Sequence, residues 1–277
     1  MLERSHLAHL GKMMQPDNPN WIKEKPIEIA QTPRCLTGDI AFEASTNQLS
    51  VAVYADGVIR AMKMAEAAFG QAASLVPLAV SALAKADVDF AMISHVAAGR
   101  GPGSFTGLRV SLAAAKGVCL AHDLPGLGIS GLEALAYSCG DDDGDLPILC
   151  LADTRRGNVY AQFFTADMTP QGDIFESQIE QLPLLVPSAF GQETILLAGY
   201  GGQAAGAAFL GAGKQVRVAG GKMISADAAD HGVDDISVDA GMIANLAAHH
   251  LAAGVASPLT PLYLADPRLG PKKKASA

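Results

Sequence analysis

Two stretches about 110 residues apart follow one plan. "AFEASTNQLSVAVY" runs from Ala41 to Tyr54, and "LADTRRGNVYAQFF" runs from Leu151 to Phe164. Each holds an apolar strand, an acid (Glu43 or Asp153), a short polar turn and a second strand with alternating apolar residues. Period-2 alternation across a short turn specifies a hairpin with one buried face. A single match of this kind is common in α/β proteins. Two at matching positions of consecutive halves indicate a duplicated lobe. With 277 residues the chain is long enough for two modest lobes with cores of their own. The expected division is an extended or disordered extension at 1–36, a first lobe at 37–137 and a second lobe at 138–238. A helix at about 239–255 completes the first lobe, and 256–277 is a tail.

The first hairpin is the clearest. Ile40 to Ala44 reads as a buried strand, Gln48 to Tyr54 alternates through Leu49, Val51 and Val53, and Asp56-Gly57 is a turn pair that tolerates positive φ. Val58 to Met64 supplies a third strand. "AASLVPLAVSALAKA" (72–86) puts Leu75, Leu78, Ala79 and Ala82 on one helical face, with Pro77 near the first turns, where its missing donor costs little. Ala91 to Ala98 reads as a buried strand, and Phe105 to Ala121 as a helix closed by Asp123 and Pro125. Strand, turn and helix in this order point to an α/β fold. Past Phe164 the pattern weakens to a loop, a strand, and a glycine-rich turn into a helix. Asp239 to Ala253 reads as a last amphipathic helix, with Met242, Leu246 and His249 or His250 at helical spacing.

Composition narrows the function classes. Apolar residues make up 49% and charged ones 17%, as in ordinary globular chains. A net charge of −8 argues against a broad nucleic-acid face on this chain alone, and the basic run Lys272-Lys273-Lys274 reads as a solvated tail. Cys35, Cys119, Cys139 and Cys150 form no CxxC pair, and reduced, buried thiols in a cytoplasmic protein are expected. No run reaches the ~18–20 apolar residues of a membrane span.

"GRGPGSFTGLR" (99–109) places four glycines and a proline between a strand and a helix. Either the backbone makes an unusually tight turn, or something approaches the main chain closely. Small residues ahead of a helix N-terminus suit an anion. A Walker loop fails for want of a Lys-Ser/Thr pair, and the glycines at 101, 103 and 107 miss the dinucleotide-binding spacing. Ser104 does not sit in a G-x-S-x-G elbow and reads instead as a helix N-cap. None of the seven histidines forms an HxxxH or HExxH pair with a carboxylate in register, and the adjacent His249 and His250 face different directions.

The segments "GRGPGSFTGLRVSLAAAKG", "EASTNQLSVAV" and "ADTRRGNVYAQ" resemble the TsaB family of tRNA threonylcarbamoyladenosine biosynthesis proteins, over roughly residues 38–266. The resemblance implies two ribonuclease-H-like lobes of the actin-like ATPase superfold, with mixed sheets flanked by helices. It further implies a non-catalytic subunit with no metal site, which binds and activates the transferase TsaD, with the ATPase TsaE joining and tRNA reached through the complex. A homodimer in isolation is compatible with it. No cofactor is expected on this chain alone, with ATP or ADP placed at the junction with TsaD. Site residues implied at the glycine loop are Gly101, Gly103, Ser104, Thr106, Gly107 and Arg109, with Phe105, Val110 and Leu112 as candidates for the partner surface. Glu43 stands where the family usually has aspartate. The rival reading is a free-standing ATPase or metallopeptidase-like hydrolase of the same fold.

Overall fold

Strand β1 (Gly38–Glu43) pairs antiparallel with β2 (Gln48–Ala55), which pairs antiparallel with β3 (Val58–Glu66). The turn joining β2 to β3 has Asp56 at φ 53° and Gly57 at φ 80°. Positive φ at both central residues matches the right-handed twist of the flanking strands, so the Asp-Gly pair sets the register Ala55↔Val58. The computed structural model describes residues 38–66, 71–139, 145–191, 193–219, 222–223 and 236–264. The extension expected at 1–36 and the lysine run at 272–274 lie outside the described residues.

After α1 (Gln71–Ala86), β4 (Ile93–Gly99) returns parallel to β1. Then α2 (Phe105–His122) leads to β5 (Gly126–Ile129), giving the order β3-β2-β1-β4-β5. With α1 starting at Gln71, Pro77 lies near the first turns as expected, but in the second turn, beyond the first four amides that need no intrahelical acceptor. Its ring is exposed, so the lost donor sits on the outer face of the helix. The strand expected from Ala91 begins at Ile93 instead. Asp89 Oδ1 accepts from Ala91 N at 2.7 Å, which winds Phe90–Met92 into a 3₁₀ turn first.

Strands β1, β2 and β4 of the first sheet are largely buried on both faces, while edge strand β3 has an exposed face. Ile40, Phe42, Val51 and Val53 point towards Leu75, Ala79 and Leu112 of α1 and α2. The alternate residues Ala41, Ala52 and Ala97 meet Ile243, Ala244 and Ala247 of α5 (Ala240–Ala252). Small residues on that face let the last helix approach closely. On α5 the inward face is Ile243, Ala244, Leu246 and Ala247, while Met242 lies at its rim and His249 is exposed.

The second sheet repeats the plan. Strands β6 (Ile148–Asp153), β7 (Val159–Phe164) and β8 (Pro170–Ser177) form an antiparallel meander, and β9 (Ile195–Gly199) and β10 (Val216–Val218) add parallel strands. With the short β11 (Lys222–Met223) the order is β11-β10-β9-β6-β7-β8. Apart from β11 this is the order of the first sheet. The chain therefore has the mixed α/β architecture of two similar sheets flanked by helices. The segment "LPLLVPSAF" folds as 3₁₀ turns whose Leu182 and Phe190 plug the second core beside Phe209 of α4 (Gly202–Gly211). Helix α3 (Gly131–Ser138) buries Leu132 and Leu135 against Ile148 and Leu196 of the second sheet. Its Glu133 Oε1 lies 3.1 Å from His250 Nε2 on α5.

Candidate functional site

Glycine-loop residues sit between the end of β4 and the start of α2, and their neighbour is the turn at 44–47. Ser45 O accepts from Ser104 N at 2.8 Å. A Cβ on Gly107 would stand 1.8 Å from Ala44 O, and one on Gly103 would stand 2.7 Å from Ser45 O. Both contacts are with backbone, which has no flexible end to swing away. Both alternatives left open by sequence hold: Gly101 and Gly103 take the positive φ of 102° and 157° that the turn needs, while Gly103 and Gly107 admit the main chain of a neighbouring turn, so the approaching group is the protein itself.

Ser104 caps α2 as expected, its Oγ accepting from Gly107 N at 3.3 Å. Gly101 is buried, with φ 102°, and its carbonyl accepts from Gly131 N at 2.8 Å, tying the loop to α3. Thr106 is exposed. Arg109 is exposed too and lies over the Phe105 ring, 3.9 Å from its centroid.

The partner-surface candidates divide. Phe105 is 47% exposed. Leu112 is 4% exposed and belongs to the first core, so it is not a surface residue. Val110 is half-buried against the same core. Helical geometry explains the correction: residues 110 and 112 fall on the flank and inner face, whereas spacing from Phe105 by threes and fours runs through Arg109, Ala113, Lys116, Gly117 and Leu120. All of these are exposed, Leu120 at 88%.

The two repeat acids end the first strands of their sheets and make the same local contact. Glu43 Oε1 accepts from Ser45 N, and Asp153 Oδ1 accepts from Arg155 N at 2.7 Å. Their surroundings differ. Glu43 is 1% exposed, and its Oε2 is buried with no hydrogen-bond partner, pressed against Gly99. Burial pushes its pKa up, the amide contact at Ser45 opposes this in part, and the charge of Asp239 adds to it. Asp153 is partly exposed and pairs with Arg155, whose Nε lies 3.5 Å from Oδ2.

Residues 256–264, expected as the start of a tail at 256–277, form a strap that the sequence reading missed. It lies along β5: Gly128 N donates to Ser257 O at 3.0 Å, and Leu262 N donates to Arg100 O at 2.8 Å. Arg100 Nη1 donates to Ser257 Oγ at 2.7 Å. The strap sets Tyr263 against Phe105, ring centroids 5.8 Å apart. The available signal was the glycine pair in β5. A Cβ on Gly128 would stand 2.2 Å from Pro258 O, and a glycine inside a strand marks close backbone approach.

Among the described residues no three His, Cys, Asp or Glu side chains converge to hold a metal ion. A separate cleft of about 450 Å³ opens at the opposite ends of β1 and β4, where His95 Nδ1 lies 3.0 Å from Asp39 Oδ1. No described helix is long and apolar enough to cross a membrane.

The sequence profile of the family described as "TsaD: tRNA N6-adenosine threonylcarbamoyltransferase" matches residues 65–196, which include the glycine loop and the β6–β7 turn. The chain is 32% identical over 122 residues to the tRNA threonylcarbamoyladenosine biosynthesis protein TsaB of Escherichia coli (strain K12), covering 44% of this chain and 52% of that protein. It is 29% identical over 126 residues to the protein of the same name from Bacillus subtilis (strain 168), covering 45% and 54%. The chain thus spans about half the length of the curated relatives it matches. Among solved structures, YeaZ from Pseudomonas aeruginosa superposes with a TM-score of 0.62 at 22% identity, over 82% of this chain and all of that one. That likeness establishes the fold.

Proposed function

We propose that this chain is a non-catalytic subunit in the formation of threonylcarbamoyladenosine beside the anticodon of tRNAs reading codons that begin with A. It acts by binding and activating a TsaD-type transferase, with a TsaE-type ATPase joining and tRNA reached through the complex, in the cytoplasm. The observation that carries this reading is the outer face of α2. Phe105, Arg109, Ala113, Gly117 and Leu120 form one exposed stripe on a helix whose start is locked by the glycine loop. A flat stripe with small residues at its centre and apolar residues at its ends suits close packing against a partner helix. The same face would serve a homodimer of the isolated chain.

A magnesium–nucleotide does not fit the two repeat acids. Magnesium takes ionised, accessible oxygens. Burial disfavours the ionised form of Glu43, and the Asp153 oxygens face the Arg155 amide and guanidinium. The proposal keeps ATP or ADP at the junction with the transferase, with none on this chain alone.

The test is reconstitution. The chain alone, given threonylcarbamoyl-adenylate and tRNA, should yield no modified base, and addition of TsaD, TsaE and ATP should restore it. Leu120→Glu should weaken TsaD binding at least tenfold, about 1.4 kcal/mol or more, as for a buried interface anchor. Its melting temperature should not change, because Leu120 supports nothing in the core. Modification by this chain alone, or full rescue without it, would show the reading to be wrong. Metal analysis and an ATPase assay of the pure protein separate it from the hydrolase alternative.

A further inference from the structure

The turns just after the two repeat acids touch each other. Arg155 Nη2 donates to Asn47 Oδ1 at 2.7 Å, joining residues 108 apart in sequence and linking the second sheet's turn to the first's. Asp153 holds Arg155 twice: its Oδ2 lies 3.5 Å from the guanidinium Nε, and its Oδ1 accepts from the Arg155 backbone amide at 2.7 Å. Arg155 holds φ 60°, in the left-handed region that non-glycine residues enter only when their surroundings fix them. Asn47 closes the same turn whose Ser45 carbonyl receives Ser104 N and whose Ala44 carbonyl lies under Gly107. A short path thus runs from Asp153 through Arg155 and the 44–47 turn to the first turn of α2.

We infer that Arg155 is a positioning residue: from the second lobe it fixes the 44–47 turn, and through that turn the glycine loop and the exposed start of α2. Its effect on partner binding rests on the proposed role of the α2 face, whereas its hold on the loop does not. The Arg155 side chain is 47% exposed, so water screens the contact and the effect is graded rather than all-or-none.

Hydrogen exchange on the full chain tests this at the amides of Ser104, Gly107 and Leu108. Arg155→Gly removes the side chain while easing the left-handed backbone, so the variant keeps its fold. Exchange at these amides should speed about threefold in Arg155→Gly and in Asn47→Ala, the scale of an exposed polar pair. The double variant should be no faster than Arg155→Gly alone, since one contact cannot be lost twice. Arg155→Lys, with a single cationic head, should restore part of the protection. Amides of α4 should not change in any variant. Unchanged exchange at Ser104, or additive effects in the double variant, would overturn the proposal. TsaD affinity should fall in the same order across the variants. If the wild-type chain fails to bind TsaD, the proposed function fails while the exchange data still decide the role of Arg155.

Discussion

Both lobes open with a hairpin whose first strand ends in a carboxylate that accepts the amide two residues on, yet one acid is core and the other is surface. Glu43 is 1% exposed, whereas the Asp153 side chain is 29% exposed. The connection between the fourth strand of each lobe and its next helix differs as well. In the first lobe, Arg100 to Ser104 separate β4 from α2, long enough to cross over the 44–47 turn and cover it. In the second, only Tyr200 and Gly201 separate β9 from α4, and the turn at 154–158 stays open. There Arg156 Nη2 reaches Glu176 Oε2 at 2.9 Å on the outer strand. Equal topology therefore does not give equal chemistry. The acid is buried in the lobe with the longer connection and meets water in the lobe with the shorter one.

The largest test of this comparison is at the crossing itself. Gly107→Val forces a side chain into the Ala44 carbonyl and should cost about 3 kcal/mol, the upper range for an overpacked site. Gly117 lies on the same helix with nothing within 4 Å of a Cβ, so Gly117→Ala should instead stabilise by about 0.5–1 kcal/mol. Urea unfolding of the pair separates packing from helix propensity. Similar midpoints for both would mean that the crossing is loose.

The acids come next. Glu43→Ala leaves the Ser45 amide without its acceptor in a buried place and should cost about 1–3 kcal/mol. Asp153→Ala removes a partly exposed pair and should cost less than about 1 kcal/mol. Equal losses would erase the distinction between the lobes.

The pH response sharpens it further. Burial raises the Glu43 pKa above its ordinary 4.5, so the folded state holds this proton more tightly than the unfolded chain does. That contribution is fully present below pH 4.5 and is lost as pH rises through the folded pKa. Glu43→Gln cannot ionise, so relative to wild type it should gain stability as pH increases from about 4.5 upward. Thermal melts across that range check the sign, and a difference that shrinks with rising pH would refute it.

The smallest effect lies at the far end of α2. Asp123 adopts φ 52° as the helix C-cap, a conformation that glycine takes without penalty. Asp123→Gly should therefore be neutral or stabilising by up to about 1 kcal/mol. A loss greater than that would show that the aspartate side chain matters.

The hairpins, the Asp56-Gly57 turn, the Ser104 cap and the repeated plan were all legible in the sequence because each depends on residues a few positions apart. Period-2 alternation, positive φ and capping hydroxyls act locally, and the chain writes them locally. The outer strand β8 was not legible, since it is exposed or half-buried along both faces and so carries little apolar alternation. The strap at 256–264 was missed because its anchors, Arg100 just after β4 and Gly128 in β5, lie far away in sequence. Within α2, amino-acid type alone selected Val110 and Leu112 as apolar candidates, but only the position of the sheet determined that Leu112 faces inward and Leu120 outward. The glycines announced either a tight turn or a close approach. Which group approaches was decided by the tertiary structure, where the β1–β2 turn crosses beneath the loop and excludes every residue with a Cβ at Gly107.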